Sequence, residues 1–391
     1  MGYTVVAYAA FYSNNTEEQM SDKRKLQDML SNCMKTGYAF LMFSMMQSSR
    51  GLYAQADSRI AGVRDKHIQY EGRIGFDDLA TAKIYWAGSS VRIRFKGTAV
   101  KATMKDEGGG NYYNIVIDED SIQILKPGTI KTTYTLADHL SPGEHTIELF
   151  KRTDGKAGMT RFYGFELPAN SILLDLPQKK RVIEFYGNSI TVGSGINEGK
   201  FPGGDENNYL SYAAITARHF NARYTCIARS GIGLMVSWFR LIMPEMYTRL
   251  NPDDSASKWD FKKNIPDVVV INLLQNDNSL VELPDHPQFK NRFGKKPPGE
   301  DYITSSYKRF VRNIRSFYPH AEIICTLGNM DAVRPGSPWP GYIEKAVASL
   351  GDKKIVSYFF PYKGTPDHPD VKEQHEMADG LIRFIEERIK W

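Results

Sequence analysis

The sequence predicts an antiparallel β-sandwich of jelly-roll type over residues 57–173, followed by an α/β domain with a parallel sheet over residues 181–391. Up to Leu167, short runs alternate apolar with polar residues between turn signals, which is typical of strands with one buried face. After Pro168, unbroken apolar runs alternate with stretches of helical periodicity, which is typical of a parallel α/β sheet. A length of 391 residues with 41% hydrophobic and 24% charged residues excludes a disordered chain.

Four strands of the first region are indicated by their alternation. We expect them at residues 84–86, 91–95, 113–117 and 145–150. Turn signals rich in Gly, Ser, Asp and Pro separate them, and no helical periodicity interrupts them. Short strands at this spacing favour a sandwich of jelly-roll type.

The second region alternates strands with helices. Strands are expected at residues 182–186, 223–227, 268–273 and 323–327, and helices at residues 209–220, 302–318 and 372–390. Residues 174–180, which contain Pro177 and two lysines, form the expected linker. This order predicts a parallel sheet covered by helices.

The first 56 residues are expected to precede both folded regions. Residues 1–33 are polar and unpatterned, and we interpret them as a mis-called start before Met34. Lys35, the apolar run 38–46 and the sequence Ala-Gln-Ala at 54–56 have the layout of a secretory signal peptide, which predicts cleavage after Ala56 and an exported protein, periplasmic or secreted. A short core helix is the alternative. The run has about half of the roughly 20 residues that a membrane span needs, so no span is expected.

Charge and cysteine content exclude other classes of protein. Lys and Arg number 50 against 45 Asp and Glu, and this small excess is spread along the chain, so no nucleic-acid partner is expected. Cys33, Cys226 and Cys325 show no metal-ligand spacing, so structural zinc is not expected. Spacing does not decide whether Cys226 and Cys325 pair, and the sequence leaves the oligomeric state open.

The loop after the first apolar strand of the second region contains a candidate nucleophile. Reactive groups of parallel α/β domains lie beyond the carboxyl ends of the strands. There, Gly187 permits a tight turn and Ser189 begins the next segment. No Lys-Ser/Thr pair follows, which excludes a phosphate loop, and Thr191 replaces the second Gly of a lipase-type elbow. The alternative is a serine that only caps a helix.

Three further loops supply candidate partners for Ser189. Gly231 follows the strand at 223–227, where backbone amides are able to bind an oxyanion, although a plain turn is the alternative. Asn276 follows the strand at 268–273 and is a candidate oxyanion donor or a turn residue. His368 lies between two prolines before the last helix, on a stiff loop, and is a candidate base. Four candidates in the order Ser, Gly, Asn, His make a hydrolase site the favoured interpretation.

With these residues the sequence resembles the SGNH (GDSL-type) hydrolase superfamily and, within it, carbohydrate esterase family 2. Segments 86–97, 143–152 and 183–191 carry the resemblance, which extends from about Tyr70 to the C-terminus. It implies an SGNH hydrolase domain with Ser189 as nucleophile, His368 as base, and an oxyanion hole made of Ser189, Gly231 and Asn276. It also implies removal of acetyl groups from plant polysaccharides such as xylan and glucomannan, without a cofactor.

The sequence departs from the family pattern at three places. Asn188 stands where the family usually has Asp, and Leu274-Gln275 replaces Gly-Thr before Asn276. The triad acid usually lies three residues before the histidine, where this chain has Thr365. Asp367 is adjacent to His368, where backbone geometry makes a contact with Nδ1 awkward. We therefore expect a Ser189–His368 dyad, which the resemblance allows.

The sequence also suggests a surface for sugar. The segment 335–342 reads as a loop, and its Trp339 is a candidate stacking surface, with a buried core position as the alternative. The predicted partner is an acetylated polysaccharide or oligosaccharide. Rival interpretations are a non-catalytic carbohydrate-binding protein with a decayed hydrolase domain and an esterase for lipid acyl chains. The polysaccharide and the hydroxyl position are not determined by the sequence.

Overall fold

Three β-sheets organise the part of the chain that the computed structural model describes, residues 58–76, 78–196 and 205–390. Two of the sheets are antiparallel and six-stranded, and the third is parallel and five-stranded. The predicted start segment and signal peptide lie outside the described residues. Within these ranges, no helix combines the length and the apolar character that crossing a bilayer requires.

The two antiparallel sheets share one hydrophobic core. Their strands are β1 (Arg59–Gly62), β2 (Ile68–Glu71), β3 (Ile74–Gly75), β4 (Ala82–Ile84), β5 (Ser90–Gly97), β6 (Val100–Asp106), β7 (Tyr113–Ile117), β8 (Ser121–Leu125), β9 (Thr132–Ala137), β10 (Gly143–Lys151), β11 (Thr160–Leu167) and β12 (Ile172–Leu174). One sheet has the order β3-β4-β11-β6-β9 with β1 beside β11, and the other β12-β5-β10-β7-β8 with β2 beside β5.

Alternation along the strands explains the shared core of the sandwich. In β5, Val91, Ile93 and Phe95 are buried, and Ile93 pairs in register with Ile147 of β10. Because side chains of a strand alternate between faces, every second residue reaches the space between the sheets. Phe162 of the opposite sheet is buried in the same cluster.

The parallel sheet has the order β14-β13-β15-β16-β17, with helices against both faces. Its strands are β13 (Arg181–Gly187), β14 (Ala222–Ala228), β15 (Val268–Asn272), β16 (Glu322–Leu327) and β17 (Ile355–Phe359). The helices are α1 (Ser189–Val192), α2 (Tyr212–His219), α3 (Met243–Met246), α4 (Gln275–Val281), α5 (Pro287–Phe293), α6 (Glu300–Phe317), α7 (Trp339–Ala348) and α8 (Val371–Arg388).

This strand order determines where a site can form. The order reverses between β13 and β15, because β14 lies on one side of β13 and the later strands lie on the other. Crevices of open α/β sheets form at such a reversal, beyond the carboxyl ends of the strands. Gly187, the last residue of β13, is in register with Ala228 of β14 and Asn272 of β15. The loops that follow these three strands therefore begin side by side.

The coarse prediction of an antiparallel region followed by a parallel α/β region is confirmed, and the jelly-roll connectivity stays a prediction. The elements that differ from expectation include one strand and one loop. The strand expected at 84–86 ends at Ile84, and Trp86 instead packs in the core of the parallel sheet. The loop expected at 335–342 contains the start of α7 at Trp339, because proline is compatible with the first turn of a helix.

Candidate active site

Ser189 occupies the first position of α1, directly after β13. The preceding Asn188 is extended, and its Oδ1 accepts a hydrogen bond from Ile190 N at 3.0 Å. The N–H of a first helical residue has no partner within its helix. Within the described ranges, the Ser189 N–H donates to no other group either. Ser189 is 6% exposed, and this residue lines an open cavity of about 290 Å³.

Gly231 contributes a second unused backbone donor to the same cavity. Residues 229–232 form a turn in which Ile232 N donates to Arg229 O at 3.2 Å, and Gly231 has a φ of +81°. A positive φ at the third position of a turn favours glycine. The turn does not use the Gly231 N–H, and among the described residues no acceptor takes it.

Asn276 lies in the first turn of α4 and is held by two hydrogen bonds. Its Oδ1 accepts from Trp238 Nε1 at 3.0 Å, and its Nδ2 donates to Ile232 O at 2.7 Å. An indole nitrogen only donates, so this contact determines which end of the amide is oxygen. The second N–H of Nδ2 has no acceptor among the residues that the structure describes, and Asn276 lines the cavity.

Asp277 connects α4 to the segment after Gly231. Its carboxylate is fully buried and accepts from the backbone N–H groups of Leu234 at 2.8 Å, Met235 at 2.6 Å and Val236 at 3.0 Å. Burial raises the pKa of Asp277 to about 6 against the opposing effect of these three donors. Gly231 and Asn276 are therefore carried by two segments that are tied together.

His368 lines the same cavity and lies against Gly195. A Cβ built on Gly195 would be 2.8 Å from His368 Cβ. The position of this loop is set by α8, whose N-cap Asp370 lies two residues further on and forms a reciprocal cap. Glu373 N donates to Asp370 Oδ1 at 2.8 Å, and Asp370 N donates to Glu373 Oε2 at 2.9 Å.

Neither of the two positions considered for a triad acid, 365 and 367, holds a carboxylate with a described partner. Thr365 Oγ1 accepts from Lys363 Nζ at 2.6 Å. Asp367 is exposed, and in the part of the chain that the structure describes it takes part in no hydrogen bond or ion pair. The Asp367 carboxylate is thus not recruited to a described partner.

The structure corrects the prediction for Trp339. This side chain is only 4% exposed and packs in the core on one face of the parallel sheet, so it offers no surface to a sugar. Trp238 is 45% exposed and lines the cavity. Sequence reasoning missed Trp238 because its role depends on the contact with Asn276, which is 38 residues away.

Charged groups at the rim of the cavity were also missed. Lys156, from the loop between β10 and β11, has its Nζ 2.6 Å from Glu206 Oε1. Burial lowers the pKa of Lys156, but the hydrogen bond and ion pair with Glu206 outweigh this effect, and the net shift of the pKa is upward.

No cluster of three or more His, Cys, Asp or Glu side chains suited to a metal ion occurs in residues 58–76, 78–196 and 205–390. Cys226 and Cys325 are buried free thiols and do not pair.

Comparison with known proteins places this geometry in a family. The N-terminal model of carbohydrate esterase 2 matches residues 70–177. A family two carbohydrate esterase from Clostridium thermocellum, solved with cellohexaose, is 33% identical with a TM-score of 0.72, over 82% of this chain and 98% of that one. The chain belongs to carbohydrate esterase family 2.

Two curated relatives extend the comparison. The cellulase/esterase CelE of Acetivibrio thermocellus is 32% identical over 351 residues, which are 86% of this chain but only 41% of that protein. An acetylxylan esterase / glucomannan deacetylase of Cellvibrio japonicus is 29% identical over 89% of this chain and 97% of that protein. A family two esterase structure from Cellvibrio japonicus shares the fold, with a TM-score of 0.75 at 22% identity.

Proposed function

We propose that the chain is a carbohydrate O-deacetylase that hydrolyses acetyl esters of polysaccharides or oligosaccharides through an acetyl-Ser189 intermediate. The observation that carries this proposal is the set of N–H donors at the cavity, on Ser189, Gly231 and Asn276, for which the described residues provide no acceptor. An oxyanion forms only as acyl transfer proceeds, so donors that are unused in the ground state stabilise the transition state selectively.

The chemistry follows from the proposed roles. His368 takes the proton of Ser189 Oγ while Oγ attacks the acetyl carbonyl carbon, and the oxyanion is held by the three donors. The bond from that carbon to the sugar oxygen then breaks, and His368 returns the proton to the sugar oxygen. Water, deprotonated by His368, attacks the carbonyl carbon of the acetyl-serine. The bond from that carbon to Ser189 Oγ then breaks, His368 returns the proton to Oγ, and acetate leaves.

Substrate recognition is proposed to involve Trp238 rather than Trp339. Its half-exposed ring lies at the cavity, where a sugar ring is able to stack on it. The names of the Cellvibrio japonicus relatives, acetylxylan esterase / glucomannan deacetylase, support acetylated xylan or glucomannan as the substrate class. Trp238→Ala should raise KM for an acetylated polysaccharide more than KM for a small aryl acetate.

The test is hydrolysis of an aryl acetate by protein lacking residues 1–56, followed by acetate release from acetylated xylan, mannan and pectin. Ser189→Ala should abolish turnover. Ser279→Ala is the control, because Ser279 Oγ bonds to Gln275 O on α4 and does not line the cavity. Unchanged turnover in Ser189→Ala contradicts the assignment. A wild-type protein that is inactive on every acetyl ester supports a binding function instead.

We also propose that the protein is exported, to the periplasm or the medium. The signal-like segment that ends at Ala56 supports this, as does a polysaccharide substrate. Expression of the full chain followed by N-terminal sequencing of the exported form should give Asp57 as the first residue. An uncleaved protein retained in the cytoplasm contradicts the proposal.

The finer architecture of the sandwich is likewise proposed to be a jelly roll. The supporting feature is the pairing of strands that are distant in sequence, such as β5 with β10 and β6 with β11. An experimental structure traced through all twelve strands tests this connectivity. Pairing only between consecutive strands would contradict it.

A further inference from the structure

A carboxylate of the β-sandwich lies directly behind the turn that carries Gly231. Asp154 follows β10, is fully buried, and accepts a hydrogen bond through Oδ2 from Ser230 N at 2.7 Å. Ser230 is the residue before Gly231. One of the segments assigned to the oxyanion hole is thus held by a side chain from outside the parallel α/β region.

Asp154 is itself rigidly held. Its second oxygen, Oδ1, accepts from Lys156 N at 3.0 Å. The buried ammonium of Lys151 donates to Asp154 O at 3.1 Å and to Thr153 O at 2.8 Å. These two hydrogen bonds hold the backbone of the loop that follows β10. Both carboxylate oxygens therefore have defined partners, and the position of Oδ2 is determined by the sandwich.

This hydrogen bond determines the orientation of the turn. A peptide unit is planar, so fixing Ser230 N fixes the plane of the peptide between Arg229 and Ser230. Only two backbone torsions then separate that plane from the peptide that carries the Gly231 N–H. The side chain of Ser230 is also held, with its Oγ 2.6 Å from Ser194 Oγ.

We propose that Asp154 is a positioning residue that aims the Gly231 N–H into the cavity, which makes the sandwich a part of the catalytic machinery. The proposal rests on the deacetylase function proposed above. Asp154 acts through geometry and not through its charge, because a carboxylate near a developing oxyanion repels it. The negative charge of Asp154 contributes only by making the hydrogen bond from Ser230 N short and strong.

The test compares Asp154→Ala and Asp154→Asn with the wild type on an aryl acetate. Asp154→Ala should lower kcat by roughly 10- to 100-fold with KM within about threefold, because misdirecting one oxyanion donor weakens only the transition state. Asp154→Asn should lie between, because its one carbonyl oxygen is able to accept from Ser230 N while its NH₂ group then faces Lys156 N. The conservative variant thus restores part of the rate.

Asp253→Asn is the matched control. Asp253 contacts the same turn, with its Oδ1 2.5 Å from Arg229 Nη1, but it is an exposed group that touches a side chain and no backbone N–H of the turn. Its kcat should stay within about twofold of the wild type. A folded Asp154→Ala whose kcat is within about threefold of the wild type overturns the proposal. If Asp154→Ala does not fold, Asp154→Asn decides by hydrogen exchange: an unchanged exchange rate in residues 229–236 overturns the proposal.

Hydrogen exchange separates this inference from the proposed function. Peptides that cover residues 229–236 should exchange faster in the Asp154 variants than in the wild type, whereas peptides of β13 should not change. A wild type without esterase activity refutes the deacetylase, and exchange in the turn then decides the positioning role alone. An active wild type whose Asp154 variants change neither kcat nor exchange refutes the positioning role alone.

Discussion

Asn276 is prepared for its proposed role by the two groups that hold its amide. Trp238 Nε1 occupies its oxygen and Ile232 O occupies one of its two N–H bonds, so only the remaining N–H is available to a ligand. Because the amide is already oriented, no reorganisation is required when charge develops on a substrate oxygen.

Replacing Asn276 with Ala removes this donor. We expect kcat for an aryl acetate to fall by roughly 10²- to 10³-fold, which corresponds to about 3 kcal/mol of transition-state stabilisation, with little change in KM. Asn278→Ala is the control, since Asn278 lies in the same helix but donates to Asp331 Oδ2 at 3.3 Å, outside the cavity. A kcat for Asn276→Ala within about threefold of the wild type would mean that Asn276 has only a structural role at the start of α4.

The position three residues before His368, where the family usually has the triad acid, is occupied by Thr365. The Oγ1 of Thr365 accepts a hydrogen bond from Lys363 Nζ. A base needs one tautomer, and a backbone carbonyl is able to select it where a carboxylate is missing. Asp367 is exposed, which fits a dyad in which its carboxylate takes no part.

The dyad makes a quantitative prediction for two adjacent residues. His368→Ala should remove nearly all activity, whereas Asp367→Ala should cost less than about tenfold, as a missing triad acid would cost about 10⁴-fold. Both losses are to be measured as kcat on one substrate, with circular dichroism to check that each variant is folded. Comparable losses in the two variants would identify Asp367 as a triad acid.

At the scale of elements, the segment after Gly231 and the helix α4 behave as one unit. Asp277 of α4 accepts three consecutive backbone N–H groups of residues 234–236, and its carboxylate has no exposed surface. Burial raises the pKa of this carboxyl to about 6, whereas an unfolded aspartate keeps its ordinary value near 3.8.

This shift predicts a pH-dependent stability. Between about pH 4 and 6 the folded state holds a proton on Asp277 that the unfolded state has lost, so the contribution of Asp277 is complete below pH 4 and is lost as pH rises through 6. We therefore expect the unfolding free energy of the wild type minus that of Asp277→Asn to decrease by roughly 2–3 kcal/mol as the pH rises from 4 to 7. Urea unfolding at several pH values measures it. The exposed Asp285→Asn should show no such trend, and a pH-independent difference for Asp277→Asn contradicts the assigned shift.

Elements with a clear pattern of apolar residues were predictable from the sequence. Elements that lack such a pattern and depend on contacts in the folded protein were not. β15 is apolar from Val268 to Ile271, and β13 is largely apolar from Val182 to Tyr186 apart from the buried Glu184, because helices cover both faces of the sheet. β17 was missed because four of its five residues are only partly buried, which removes the apolar signal. α4 begins after Leu274, which has a φ of +87° and no capping side chain, so the polar residues that follow read as a turn.

The same limit applies to the site. Ser189, Gly231, Asn276 and His368 follow strands or precede a helix, so local patterns were enough to select them. Asp154 and Trp238 carry no local signal. The roles proposed for them depend on partners 76 and 38 residues away, and no spacing in a single sequence reports such contacts.

At the scale of the whole molecule, buried polar contacts join the sandwich to the parallel α/β region. Arg73, between β2 and β3, is fully buried and donates to Tyr247 O and to Arg249 O, the latter at 3.0 Å. Its guanidinium also lies 3.7 Å from the buried Glu184 of β13. Trp86 Nε1 of the sandwich donates to Leu250 O at 2.7 Å.

These contacts predict that the two regions unfold together. Arg73→Ala leaves Glu184 buried without its counter-charge, which should destabilise the protein by about 3–5 kcal/mol. Arg64→Ala should change stability by less than about 0.5 kcal/mol, because Arg64 is an exposed side chain on Phe76. Urea unfolding followed by tryptophan fluorescence and by circular dichroism should give coincident transitions. Two separate transitions would show that the regions are independent.

The buried contacts of Arg73 and Trp86 restrict how this enzyme can be recombined. Residues 175–180 are the natural place to join the sandwich of one relative to the hydrolase region of another, since no strand or helix is cut there. A chimera joined at that point keeps the chain continuous but mismatches every side chain that crosses between the regions. Exchange of substrate specificity within the family therefore requires moving both halves of the interface together, or grafting only the rim of the cavity.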